Sequence, residues 1–279
     1  MDNMPNRDFL FTDSDFNNIR SLVKHHTGIS LSDAKKNMVY SRLSRRLRSL
    51  QLQTFKEYCS LVESGDSQEL VHFTNSITTN LTAFFRENHH FEFLKTTAIP
   101  EVMARNNNTR KINIWCCASS TGEEPYSIAM SVLEAIPHNQ TWDISITATD
   151  LDSNVLATAK KGIYTEERIA GIDKKRIKRW FWKGKGNQAG MAMVTPELKN
   201  IISFRQTNLL EKWPSEGPFD IVFCRNVVIY FDKPTQKVLF ERIANAMYDD
   251  SYLLIGHSES LFKVSERFKL IGQTIYKKI

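Results

Sequence analysis

The sequence predicts an α/β protein in which a doubly wound parallel sheet follows an all-helical segment. Three observations carry this prediction. No strand pattern occurs in residues 1 to about 75, and the character changes near residue 110. Beyond it, short apolar runs alternate with helical stretches. The chain then closes on two strand-like runs around Gly272, a hairpin added to the sheet.

The first part reads as four helices. Phe16, Ile19, Val23 and His26 recur at helical spacing, and Gly28 is placed to end that helix. Ser32 and Asp33 form an N-cap pair for the next. There Val39, Leu43, Leu47 and Leu50 share one face, and Arg42, Arg45 and Arg48 run along another. Phe55–Val62 and Leu70–Ile77 supply two shorter helices. From Ala34 to Lys56 there are seven basic residues and no acid, within a net charge of +6. Such a local excess points to an acidic partner surface, protein or nucleic acid.

The second part alternates. Ile112–Cys117 is the first strand and Glu123–Leu133 its helix. Ile144–Thr149 is a strand ending at Asp150, followed by a helix to Lys161. Ile201–Gln206, Phe219–Cys224 and Tyr252–Ile255 are further strands, with a long amphipathic helix at Lys233–Met247. Phe268–Ile271 and Thr274–Lys277 make the closing hairpin. One stretch breaks the alternation: Lys183–Val194, polar and glycine-bearing from Lys183 to Gly190 and then Met191 to Val194, with Trp180, Phe181 and Trp182 before it and Ile201–Phe204 after. It reads as a small antiparallel excursion, and an open strand edge there can accept an extended peptide.

Composition sets the bounds. The 279 residues are 41% hydrophobic and 24% charged, ordinary for a soluble globular protein of one large or two smaller domains. No apolar run approaches the ~18 residues of a membrane span. Met1–Asp15 is polar and lacks the features of a secretory signal. Cys59, Cys116, Cys117 and Cys224 form no Cys-x-x-Cys pair, so buried reduced thiols are expected and a metal site is not.

The chemistry concentrates at strand ends. The first strand runs into Ala118-Ser119-Ser120-Thr121-Gly122-Glu123-Glu124-Pro125, a turn of small residues that opens a helix. A dinucleotide would want several glycines there for its pyrophosphate. One glycine and two carboxylates suit instead the cationic amino and sulfonium groups of S-adenosylmethionine. The same acids are also favoured at a helix start by its dipole. Asp150 can accept hydrogen bonds from a ribose, or cap the next helix in competition with Asp152. Asn208 and the Arg225-Asn226 pair lie at later strand ends, so several polar residues converge on one rim.

Five stretches make a resemblance specific: Thr78-Thr79-Asn80-Leu81-Thr82-Ala83-Phe84-Phe85-Arg86, Ser120 to Ser127, Thr149-Asp150-Leu151-Asp152, Cys224 to Phe231, and Gly256-His257-Ser258-Glu259. In this order, over almost the whole chain, they resemble the chemotaxis receptor methyltransferases, the CheR-type protein-glutamate O-methyltransferases. The resemblance implies a class I methyltransferase Rossmann-like sheet, an N-terminal all-helical domain and a small antiparallel β subdomain. It divides the chain into a receptor-recognition domain at 1–75, a linker at 76–95 and a cofactor-binding domain at 96–279, with the subdomain at about 180–205. It implies S-adenosylmethionine as cofactor and S-adenosylhomocysteine as product. Asn80, Thr82 and Arg86 would close over the cofactor. Glu124, with Glu123, would hold its methionine end and Asp150 its ribose. Asn208, Leu209, Arg225 and Asn226 would line it. Arg86 and Tyr230 would stand nearest the transferred methyl group. Leu81 is a departure, since many members carry an acid there.

The implied partner is a methyl-accepting chemotaxis receptor. Arg42, Arg45 and Arg48 would face its acidic helices, and the loop bearing Gly184, Gly186 and Gly190 would dock its C-terminal peptide. A cytoplasmic monomer without nucleic-acid partner or membrane insertion is expected. A methyltransferase of RNA or of a small molecule, and a non-catalytic nucleotide-sensing module, are the alternatives. Aromatics interleaved with basic residues, usual in single-strand binders, reduce to Tyr40 among the arginines.

Overall fold

The fold was obtained as a computed structural model describing residues 8–213 and 217–279. It divides into two compact units, residues 8–79 with 230–232 and residues 80–229 with 233–279.

The first unit packs four helices, α1 (Asp13–Thr27), α2 (Lys36–Leu50), α3 (Phe55–Glu63) and α4 (Ser67–Ile77). Helix α1 opens on a capping box: Asp15 N–H donates to Thr12 Oγ at 3.1 Å, and Thr12 N–H to the Asp15 carboxylate at 2.8 Å. Gly28, at φ +72°, ends it as expected. Ser32 does not cap α2. It precedes a 3₁₀ turn, Asp33–Lys35, without a side-chain cap bond, and α2 grows out of that turn. Val39, Leu43 and Leu47 are fully buried with Ile19, Val23, Phe55 and Phe73.

The arginine row is not one free face. Arg42 Nη1 donates to the carbonyls of Ser76, Ile77 and Thr78 at 3.2, 3.1 and 2.6 Å, satisfying the open C-terminus of α4. Arg48 pairs with Asp8 at 2.5 Å, and Arg45 is exposed. Tyr230 groups with this unit, where its carbonyl accepts from Ser30 N–H at 2.8 Å.

The second unit begins with α5 (His89–Phe93), a π-helical turn and α6 (Ile99–Arg105). Then follow β1 (Lys111–Cys116), α7 (Glu123–Ala135), β2 (Asp143–Asp150), α8 (Ser153–Lys161), β3 (Ile163–Thr165), α9 (Glu166–Ile169) and α10 (Lys174–Trp180). The rest is β4 (Phe181–Lys183), β5 (Met191–Val194), α11 (Pro196–Lys199), β6 (Ile202–Gln206), β7 (Phe219–Cys224), α12 (Lys233–Asn245), β8 (Met247–Ile255), β9 (Phe268–Gly272) and β10 (Ile275–Lys278). The main sheet has the order β6-β2-β1-β7-β8-β10-β9. Its first five strands are parallel, and β10 is antiparallel to both neighbours. This is the class I methyltransferase plan. Every residue of β7 is buried, which is why it reads as a nearly unbroken apolar run.

The small sheet has the order β3-β5-β4, antiparallel throughout. The expected return strand, Ile201–Phe204, is not part of it. That run pairs with β2 in the main sheet. Met191–Val194 is the return strand, and the third strand comes from before the excursion, at Ile163–Thr165. All four cysteines are buried and unpaired. Among the described residues no helix is long and apolar enough to cross a membrane.

One polar contact inside the helical unit is open to test. Glu69, almost wholly buried, accepts two bonds from Arg46 Nε at 2.9 Å and one from Tyr58 OH at 2.8 Å. Removing one member of a buried pair strands the others. Because Arg46 still reaches water, Glu69→Ala is expected to cost about 3 kcal/mol, the low end for such pairs. Urea unfolding checks this, and a loss below about 1 kcal/mol would mean that the pair contributes little.

Candidate active site

Five parallel strands bring their carboxyl ends to one rim. The strand order reverses between β1 and β7, since β2 and β6 lie to one side and β7 and β8 to the other. Open α/β sheets bind ligands at this switch point. The loop after β1 is stitched to both neighbours: Cys117 N–H donates to Phe223 O at 2.8 Å and Ser119 N–H to Thr149 O at 2.9 Å. Gly122 is required by packing. It sits at φ +100°, and a Cβ there would lie 2.7 Å from the Tyr164 hydroxyl and 2.9 Å from Ala159 Cβ.

The ambiguity between Asp150 and Asp152 resolves. Asp152 caps α8, accepting from Asn154 N–H at 2.9 Å, while its other oxygen accepts from Asn80 Nδ2 at 2.8 Å. Asp150 instead faces the β1 loop. Its oxygens accept from Ser120 N–H at 2.8 Å and Asp152 N–H at 2.9 Å. Each carboxylate oxygen has a second lone pair, so both can still accept a hydroxyl. Burial pushes Asp150 up to about 6 against the pull of those amides. Nearby, the Ser119 hydroxyl is fully buried and has no hydrogen-bond partner among the described residues.

The two adjacent glutamates part company. Glu124 takes Arg225 Nη1 at 2.7 Å and the Cys116 thiol at 3.3 Å. Burial raises its pKa despite the opposing charge of Arg225, and the charge of Arg86 also acts on it. Glu123 is ion-paired with Arg168 and accepts from Thr121 Oγ1 at 2.7 Å. Glu124 is therefore the acid associated with Arg225, and Glu123 has a partner of its own.

Arg225 is buried between two carboxylates. Besides Glu124, its Nη2 reaches Glu87 at 3.2 Å and donates to the Arg86 carbonyl at 2.5 Å. Asn226, in the left-handed region at φ +56°, donates its N–H to Glu259 at 2.9 Å. Glu259 also accepts from Gly256, Val228 and Ile229 N–H at 2.6, 2.9 and 3.3 Å. Burial raises its pKa, and the amides pull the other way.

The remaining expected residues have local roles. Asn80 anchors its segment, its carbonyl accepting from Ser120 Oγ at 2.9 Å. Thr82 is half-buried, and Arg86 Nη1 donates to Leu81 O at 3.1 Å. Asn208 Oδ1 accepts from Leu210 N–H at 3.0 Å, which makes it a turn residue after β6. Leu209 is buried, and its carbonyl accepts from Arg242 and Trp213 at 3.0 Å each. Sequence reasoning places none of Glu87, His257 and Glu259 among the site residues. All three adjoin or lie within quoted motifs, and only the contacts show their use.

These groups suit S-adenosylmethionine. Asp150 offers two acceptors for a ribose, Glu124 is a buried carboxylate whose raised pKa an ammonium group would relieve, and Ser119 is an unused donor. The charged form of Asp150 prevails above pH 6 and is lost below it. Affinity for S-adenosylmethionine should therefore weaken as pH falls through about 6. Asp150→Asn should remove this dependence and weaken binding about tenfold at pH 8, since a hydrogen bond to a charged group contributes roughly 1.5–3 kcal/mol. Calorimetry at several pH values is the check, and unchanged affinity of Asp150→Asn at pH 8 would detach Asp150 from the ribose.

Comparison with known proteins accounts for both units. The model of the CheR methyltransferase all-alpha domain matches residues 14–78, and that of the CheR methyltransferase SAM binding domain matches residues 80–277. The chain is 43% identical over 272 residues to chemotaxis protein methyltransferase 2 of Pseudomonas aeruginosa, covering 97% of this chain and 95% of that one. It is 42% identical to the chemotaxis protein methyltransferase of Escherichia coli, covering 95% and 91%. For that of Borreliella burgdorferi the identity is 36%, over 96% and 95%. With its strand order, its rim of polar groups and these full-length matches, the chain belongs to the CheR methyltransferase family and is an S-adenosylmethionine-dependent methyltransferase.

Proposed function

We propose that this methyltransferase esterifies glutamate side chains on the cytoplasmic helices of chemotaxis receptors, working as a monomer in the cytoplasm. The observation that carries the reading is the likeness to chemotaxis protein methyltransferases over nearly the full length of both chains. Bound S-adenosylmethionine supplies a methyl group already activated by its sulfonium. The acceptor glutamate is ionised at neutral pH, so the chain need not remove a proton. Its task is to orient the carboxylate in line and keep water out.

Arg86 is the group proposed to orient the acceptor, because its fork of donors matches a carboxylate. Tyr230 is proposed as the second positioning group near the methyl transfer path. Neither should bind the ground state tightly, since that would slow the step. Arg45 and Arg48 are proposed to steer the acidic receptor surface. Arg42 already serves the end of α4, so its share in docking is smaller.

The β4 edge of the small sheet is proposed to dock a receptor C-terminal peptide. Strand β5 is central, which leaves β4 with an open side and Trp182 exposed on it. The glycines of the expected docking loop serve the turn. A Cβ on Gly184 would lie 2.0 Å from Gln188 O, and Gly186 and Gly190 adopt φ +56° and +83°. They would shape the edge rather than touch the peptide.

Tritium transfer from labelled S-adenosylmethionine to a purified receptor fragment tests the main reading. Release of the label as methanol in mild base is expected, and a base-stable product would point to RNA or amine methylation. Arg86→Lys should lose at least about tenfold in turnover, since a point charge lacks the fork. Full activity would mean that charge alone suffices there. Replacing residues 184–190 by a short turn should abolish binding of receptor C-terminal peptides and leave S-adenosylmethionine affinity intact. Undiminished peptide binding would rule out docking at this edge.

A further inference from the structure

Arg86 stands between two residues in the left-handed region, Phe85 at φ +53° and Glu87 at φ +58°. Neither is glycine, and such conformations persist only where the surroundings over-determine them. Phe85 is held by its N–H on Ser127 Oγ at 3.0 Å, with its ring edge-on to Phe91 and under the Arg176 guanidinium. Glu87 is held by its carboxylate. Oε1 accepts from His257 Nδ1 at 2.9 Å and from Asn226 Nδ2 at 3.3 Å. Oε2 accepts from His257 N–H at 3.1 Å and meets Arg225 at 3.2 Å. Between them, the Arg86 carbonyl takes Arg225 Nη2 at 2.5 Å.

We propose that Glu87, braced by His257, is a positioning residue for methyl transfer, fixing the strained turn from which Arg86 reaches the acceptor. The inference rests on the reading of Arg86 given above. Burial alone would raise Glu87, but the His257 hydrogen bond and the Arg225 charge outweigh it and bring it to about 2. It is a fixed anion across the working range. Buried His90, whose Nδ1 is 3.7 Å from Glu87, is pushed down to about 3 and stays neutral. The groups facing Glu87 are therefore the Arg225 guanidinium and the His257 ring. Ser258 Oγ lies 3.1 Å from the second ring nitrogen of His257 and steadies the ring. Glu87 acts through Arg86 and need not touch substrate, which separates it from a catalytic residue.

A double-mutant cycle tests this, with turnover of a receptor fragment and its KM measured for Glu87→Gln, Arg86→Ala and the double variant. Glu87→Gln should lower kcat at least about tenfold with KM within about threefold, and should change kcat less than about twofold once Arg86 is gone. His257→Ala, at a side chain two-thirds exposed, should lower kcat a few-fold with the same dependence on Arg86, and it carries the cycle if Glu87→Gln does not fold. Equal losses in both backgrounds, or an unchanged kcat in Glu87→Gln, would overturn the proposal and leave the Arg86 reading in place. Full turnover of Arg86→Ala would overturn both.

Discussion

The arrangement at the rim depends on one buried guanidinium. Arg225 follows β7 directly and is nearly inaccessible, so its charge must be met inside the protein. Glu124 meets it from the start of α7 and Glu87 from the turn beyond Arg86. A charge so placed costs a great deal if either partner is missing, and it is strongly directional when both are present. Three segments distant in sequence are thereby held to one geometry. Glu87 extends the same network to His257, beyond the end of β8. The carboxylate of Glu259 secures the loop after β7 by accepting its backbone amides.

Much of this was legible in the sequence. The central strands are long apolar runs, the long helices have clear periodicity, and Gly28 marks a helix end, so those elements were readable. Strands β3 and β4 have three residues each, too few for a period of two to show, so the sequence pattern points to the wrong return strand for the small sheet. The strand at Ile202 could not be assigned to its sheet by pattern, because pairing partners are set by the fold and not by the strand's own residues. Ser32 is a good cap by type, yet the 3₁₀ turn that follows leaves its side chain without that bond.

At the site, residue types were readable and directions were not. Glu123 and Glu124 are neighbours on a helix, where successive side chains point about 100° apart. They cannot serve one ligand alike, and only the packing of Arg168 and Arg225 shows which acid goes where. Asp150 and Asp152 are separated by the same logic. The arginine row was a real periodic pattern, but a pattern on one helix does not reveal that the bare carbonyls at the end of another lie under Arg42.

The register of the central strands bears on how the site comes into being. In the sheet, Ile114 of β1 lies beside Ile146 of β2, a near neighbour in sequence, and on its other side beside Ile221 of β7, roughly a hundred residues further on. Closing so long a loop is the slow, entropically costly part of assembling such a sheet. The small sheet β3-β5-β4 lies wholly within that loop and joins only nearby residues. Arg225 and Glu124 stand on opposite sides of the β1–β7 seam, so their ion pair exists only once the seam has closed. A ligand that drew on both Glu124 and Arg225 would bind only molecules in which this long-range pairing is complete, and would stabilise them.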